Sequence, residues 1–115
     1  MTENNNIKHE CNRIIRAVHD AMDVIGGKWK ISIVASLRFG KKRYSDILRD
    51  VDGISGKMLS RELKEMEADQ LIKRTVLDTH PVTVVYELTD YGETLHQVIH
   101  HLADWGVAHR KRIIG

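Results

Sequence analysis

Lys57, Ser60, Arg61 and Lys64 recur at i, i+3, i+4 and i+7, a spacing that gathers them on one face of a helix. Lysine and arginine can neutralise phosphates or bond a guanine edge, and serine can bond either phosphate or base. The start of such a helix itself favours a phosphate. Leu59, Leu63 and Met66 fall on the opposite face and are expected in the core, with Glu62, Glu65 and Glu67 on the flanks or further along. More cations stand nearby in the chain: Lys41, Lys42 and Arg43 before this segment, with Lys73 and Arg74 after it. A basic helix face alone is ordinary solvated surface, so its meaning depends on the elements around it.

Other chemistries find less support. Cys11 is the only cysteine, which excludes an internal disulfide framework and zinc motifs built on paired cysteines. His96 and His100 are four apart, with His101 adjoining; two histidines fall short of a zinc set, and a solvated helix face is the preferred reading, with no metal. Gly26-Gly27-Lys28-Trp29 sits between helical segments and lacks phosphate-loop spacing. It reads as a helix stop followed by a core tryptophan. Acid, base and nucleophile do not converge, so the sequence reads as that of a protein that is not an enzyme and needs no cofactor.

The basic face has to be positioned by its neighbours. Ile14, Ile15, Val18, Met22 and Ile25 mark a first amphipathic helix, stopped at Gly26-Gly27. A second carries Trp29, Ile33, Val34 and Leu37 and stops at Gly40. Ser45 is read as the N-cap of a short third helix holding Ile47, Leu48 and Val51. Gly53 makes a turn, and Ser55 caps the fourth helix, expected over about 55–70. Strands over 71–77 and 82–88 flank the turn Asp78-Thr79-His80-Pro81 and form a hairpin. Thr89 then caps a last helix over about 90–112, roughly 35 Å long, which should overhang a domain whose radius of gyration would be about 13 Å.

The fold class is therefore mainly α with a β-hairpin, arranged as a winged helix-turn-helix. The basic face lies where such a fold presents its recognition helix, which points to double-stranded DNA as the partner. The candidate contacts are Lys42, Arg43, Tyr44, Ser55, Lys57, Ser60, Arg61, Lys64, Lys73, Arg74 and His80. The alternative is a winged-helix module for a protein partner, but the acidic residues that would favour it are missing at 57, 60, 61 and 64.

Composition agrees with one globular domain. The chain has 115 residues, 42% hydrophobic and 30% charged, with a net charge of +2. Residues 1–10 form a polar head expected to be flexible, and 11–115 the domain. No apolar run approaches the ~18–20 residues of a membrane span, and the head lacks the apolar stretch of a signal peptide. A cytoplasmic protein is expected.

The ordered set Gly26-Gly27-Lys28-Trp29, Arg43-Tyr44-Ser45-Asp46-Ile47-Leu48, Gly53-Ile54-Ser55 with Lys57-Met58-Leu59, Leu63 with Glu67, Tyr86-Glu87-Leu88-Thr89 with Gly92, and Trp105-Gly106 resembles the HxlR-type family of winged helix-turn-helix regulators. The resemblance runs from about Cys11 to Trp105. It implies a dimer that binds an operator and represses or activates nearby genes. In some members of the family a cysteine at this point serves as an oxidant or electrophile sensor, which Lys8, His9 and Arg13 beside Cys11 would favour; the preferred reading of Cys11 is a partly buried structural thiol. The chain departs from the family at Asn12, where proline usually follows the cysteine, and at Gln70, where glycine usually ends the recognition helix. The wing is also poor in positive charge, with only His80 near its tip.

Two apolar stripes suggest how a dimer would form. Leu95, Val98, Ile99, Leu102 and Trp105 line the last helix, and Ile15, Val18 and Met22 line the first. Packed against their copies, they would bury surface that one chain exposes. Two recognition helices about one DNA turn apart would then require a near-palindromic operator. A small-molecule effector, if one acts, is expected between the last helix and the DNA-binding core.

Overall fold

The computed structural model describes residues 2–115. Helix α1 (Thr2–Ile25) is followed by α2 (Lys30–Ser36), strand β1 (Lys42–Arg43), α3 (Tyr44–Asp50), α4 (Gly56–Ala68), β2 (Ile72–Leu77), β3 (Thr83–Leu88), α5 (Asp90–Glu93) and α6 (Leu95–Ile114). The mainly helical winged helix-turn-helix is thus the observed architecture. The hairpin β2–β3 pairs in register from Ile72 opposite Leu88 to Leu77 opposite Thr83.

The core is built where the apolar spacings place it. Ile33, Val34 and Leu37 from the α2 segment meet Ile47 and Val51 from the α3 segment and Leu59, Leu63 and Met66 of α4. Leu71 and Ile72 close the cluster from the hairpin side. Trp29 packs at its edge, under the helix-turn-helix turn, where a side chain on Gly53 would lie 3.8 Å from the indole. Gly53 has φ +86°, a left-handed conformation that glycine adopts without steric penalty.

Several boundaries differ from the sequence expectation. The helix α1 starts at Thr2, taking in most of the stretch read as a flexible head. Trp29 and Leu37 cap α2 and are not inside it. The third helix begins at Tyr44, so Ser45 lies within its first turn; the cap is made instead by Asp46, whose carboxylate accepts the Arg43 N–H at 3.2 Å. The last helical stretch is interrupted at Thr94 and reaches Ile114. The strand β1 was not expected: Lys42 and Arg43 pair with Tyr86 and Val85, making a three-stranded sheet of order β1-β3-β2. Two residues carry no readable alternation, and only tertiary pairing makes them a strand.

The end of α4 shows how the chain manages without the family's glycine. Leu71 N–H donates to Met66 O at 2.9 Å and Gln70 N–H to Glu67 O at 3.0 Å. This is a Schellman closure, with Gln70 in the left-handed position at φ 64°. Leu71 and Met66, both buried, supply the apolar contact that accompanies it. The hairpin is thereby launched directly from the recognition helix.

The molecule is elongated, with a Cα radius of gyration of 18.0 Å and extents of 69 × 37 × 24 Å. A compact domain of this length would have about 13 Å. The excess comes from α1 and α6: no residue of α6 is buried, and Ile25 alone is buried among residues 4–25 of α1. No helix among the described residues is long and apolar enough to cross a membrane.

Candidate nucleic-acid interface

The helix α4 separates its two faces as its spacing requires. Leu59, Leu63 and Met66 are at most 2% exposed, whereas Lys57, Ser60, Arg61 and Lys64 face solvent. Ser55 caps the helix by accepting the Met58 N–H at 3.1 Å. Its oxygen is therefore committed to the cap, and as a DNA contact only its hydroxyl proton is free to donate.

Tyr44 fastens α3 to the start of α4. Its hydroxyl donates to Gly56 O at 2.7 Å and lies 3.2 Å from Ser60 Oγ. Ser60 and Tyr44, singled out separately from the sequence, form one hydrogen-bonded pair on the outer surface. The start of the recognition helix is held by this pair and by the Ser55 cap.

The candidate cations differ in how free they are. Lys42 is paired with Asp50, which also accepts the Ser36 hydroxyl at 2.9 Å. The hydrogen bonds from Lys42 and then Ser36 hold the Asp50 carboxyl below its ordinary range. Lys42 is thus engaged within the fold and is a weaker candidate for phosphate than its sequence position suggests. Arg43, Lys57, Lys64, Lys73 and Arg74 are exposed and make no ion pair among the described residues. His80 is exposed at the tip of the wing.

Between α4 and the hairpin runs a cleft of about 370 Å³ lined by Ser60, Leu63, Lys64, Glu67, Arg74 and Tyr86. Strand register brings Arg74 directly across from Tyr86, so the cleft sets two cations and two hydroxyls beside one another, with the single carboxylate of Glu67. Such a set suits a sugar-phosphate backbone. Tyr86 and Glu67 were not read as part of the site, since their place depends on how the hairpin folds over the helix.

Behind the exposed face lies a buried charge cluster that the sequence reading missed. Lys30 Nζ of α2 is 2.6 Å from Glu62 and 2.7 Å from Glu65 of α4, and the Lys30 and Glu62 side chains are only 11% and 13% exposed. Burial opposes the ammonium's charge, but both carboxylates outweigh it, and the Lys30 pKa lies above its ordinary value. Glu65 is held below its ordinary range, by Lys30 first and then by Arg61, whose Nε is 3.4 Å away. The 32- and 35-residue separations leave no local signal, although an i, i+3 acidic pair on a helix facing a near-invisible lysine is the pattern to look for.

The apolar stripes divide. Ile15, Val18, Met22, Val98, Leu102 and Trp105 are exposed, but Leu95 and Ile99 are half-buried against the core of their own chain. They therefore help dock α6 on the domain. Trp105 is 69% exposed and stacks on His109, with ring centroids 5.0 Å apart. Cys11 is exposed on α1. Arg13 beside it is paired with Glu10 at 2.6 Å, so its charge is shared. A second cleft, about 280 Å³ and mostly apolar, lies between the end of α1 and the start of α6, lined in part by Val24, Ile25, Leu71, Leu95 and Val98.

A capped recognition helix with an exposed basic face, set behind a short helix and beside a β-hairpin wing, defines a winged helix-turn-helix DNA-binding protein. Residues 24–113 match the HxlR-like helix-turn-helix family. The chain belongs to that family, and it is a transcriptional regulator. It is 42% identical over 99 residues to the uncharacterized HTH-type transcriptional regulator YtcD of Bacillus subtilis (strain 168), covering 86% of this chain and 79% of that protein. The crystal structure of YtcD superposes with a TM-score of 0.76, covering 82% of this chain and 96% of that one. The redox regulator HypR in its oxidized form is 37% identical with a TM-score of 0.75, covering 80% and 95% of the two chains. The diamide-treated form of YodB from B. subtilis is 34% identical with a TM-score of 0.69, covering 78% and 89%.

Proposed function

We propose that the protein works in the cytoplasm as a homodimer that binds a near-palindromic operator in double-stranded DNA. The observation that carries this reading is the exposed face Lys57, Ser60, Arg61 and Lys64 on α4, continuous with the Lys64–Arg74 cleft under the wing. Arg61 and Lys57 read base edges from the helix face; Lys64, Lys73, Arg74 and Arg43 take phosphates, and Tyr44 and Ser60 act as a coupled hydroxyl pair. Dimerisation through α1 and α6 is supported by their projection from the domain and by the exposed apolar side chains of Ile15, Val18, Met22, Leu102 and Trp105.

Redox control through Cys11 belongs to the same reading. HypR is described as a redox regulator, and Cys11 is the only thiol this chain has. A Cys11–Cys11′ bond between subunits or a mixed disulfide would change how the α1 helices meet. An alternative effector site is the apolar cleft between α1, Leu71 and α6.

The test is a titration against the DNA upstream of the protein's own gene and against a scrambled duplex, with and without oxidant. Preference for the upstream DNA, lost in the Arg61→Ala/Lys64→Ala double variant, supports operator binding. Equal weak binding to both duplexes, unmoved by those substitutions, refutes it for that DNA. Oxidant-dependent release that persists in Cys11→Ser removes Cys11 from the mechanism.

A further inference from the structure

We infer that Glu65 is a positioning residue for Arg61, and that Lys30 holds Glu65 in place for this role. The inference rests on the reading of α4 as the helix that reads DNA. The Glu65 carboxylate has one oxygen on each of two cations: Oε2 is 2.7 Å from Lys30 Nζ, and Oε1 is 3.4 Å from Arg61 Nε. Lys30 is buried and belongs to α2, outside the recognition helix. Arg61 is 70% exposed and one helical turn before Glu65.

An arginine and a glutamate four apart on an exposed helix surface ordinarily hold each other only loosely, because both side chains are free to swing away. Here one partner is not free. Lys30 fixes the Glu65 carboxylate from below, and Glu62 fixes Lys30 in turn. The guanidinium therefore meets an anchored acceptor on its Nε edge. Its two terminal nitrogens remain available for a bidentate contact with a guanine edge. An arginine ordered before it meets DNA loses fewer rotamers on binding. The carboxylate also penalises any duplex that draws Arg61 off this line, since its charge is then brought near phosphate with only Lys30 to offset it.

This arrangement gives Glu65 a role in specificity that its charge alone would conceal. A carboxylate on a DNA-facing helix would otherwise be expected only to weaken binding. Removing it should strengthen non-specific binding and weaken discrimination at one base pair per half-site. No other candidate base contact on α4 has an anchored acid beside it: Lys57 and Lys64 make no ion pair among the described residues.

The experiment is selection from a randomised duplex library by the full chain, followed by sequencing, for wild type, Arg61→Ala, Glu65→Gln and Lys30→Met. Arg61→Ala identifies the base pair that Arg61 reads, as the position whose preference disappears. Glu65→Gln is expected to relax that same pair, with discrimination falling about tenfold, and to leave the other positions of the consensus unchanged. Glutamine preserves the shape of Glu65, whose side chain is 44% exposed, and thermal melting checks that the variant is folded. Should it not be folded, Lys30→Met decides, since it removes the anchor from the other side and should relax the same pair. A Glu65→Gln protein that selects the wild-type consensus, or relaxes a different position, overturns the inference while the DNA-reading role of α4 stands. A wild-type protein that selects no consensus overturns that role itself.

Discussion

Replacing Lys64 with alanine should change the salt dependence of DNA binding, whereas replacing Lys42 should change it much less. Both are lysines in the stretch the sequence marks as DNA-facing. Lys42 is held by Asp50, while Lys64 stands free beside Arg74 in the cleft between recognition helix and wing. A lysine that neutralises a phosphate releases condensed counterions, and the slope of log K against log salt changes by about 0.9 for each such contact. A dimer loses two contacts in Lys64→Ala, so its slope should flatten by roughly 1.8. Between 50 and 200 mM salt, a fourfold change, the wild type should then lose about 12-fold more affinity than the variant. Lys42 in the free protein already has its counter-charge from Asp50, so Lys42→Ala should move the slope by less than half as much. Fluorescence anisotropy with a labelled operator at four salt concentrations measures both. Equal slope changes for the two variants, or none for Lys64→Ala, would refute the distinction drawn from the ion pairs.

Three further outcomes follow from other parts of the fold. Gln70→Gly should stabilise the protein by about 0.5–1 kcal/mol, because it removes a side chain from a left-handed position at the cost of a more flexible unfolded chain; thermal melting should rise by roughly 2–4 °C. Asp50 and Glu65 have folded pKa values below the unfolded ones, so their contribution is present above the unfolded carboxylate pKa and is lost as pH falls through the folded one. Stability should therefore drop below about pH 4.5, and the Asp50→Asn/Glu65→Gln pair should flatten that acid limb in pH-dependent denaturation. Trp105→Ala should weaken self-association by about 2 kcal/mol or more if Trp105 anchors the interface; sedimentation velocity across a concentration series would show the shift toward monomer, and an unchanged distribution would move the interface elsewhere.

Local physics explains which features are legible in the chain. Leu59, Leu63 and Met66 alternate with Lys57, Ser60, Arg61 and Lys64 at helical spacing, so the two faces of α4 follow from periodicity alone. Ser55 and Thr89 are caps that act on backbone groups three residues away, within the range of a local pattern. The position of Ser45 misleads because the competing cap, Asp46 reaching back to Arg43, is equally local and starts the helix two residues earlier.

The sequence by itself determined the order of the main helices and the hairpin, the apolar core, the basic face of the recognition helix and the family. Each of these depends on residue type and spacing within one or two helical turns. Tertiary structure decided which of those residues are free to act. It paired Lys42 with Asp50 and packed Leu95 and Ile99 against the core of their own chain. It also made a strand of Lys42 and Arg43, brought Tyr86 beside Arg74, and set Lys30 beneath Glu62 and Glu65. These contacts join groups from 8 residues apart, for Lys42 and Asp50, through 35, for Lys30 and Glu65, to the still more distant strand pairing of Lys42 with Tyr86. Their strength comes from burial and close approach, which exist only once the helices and the hairpin have packed.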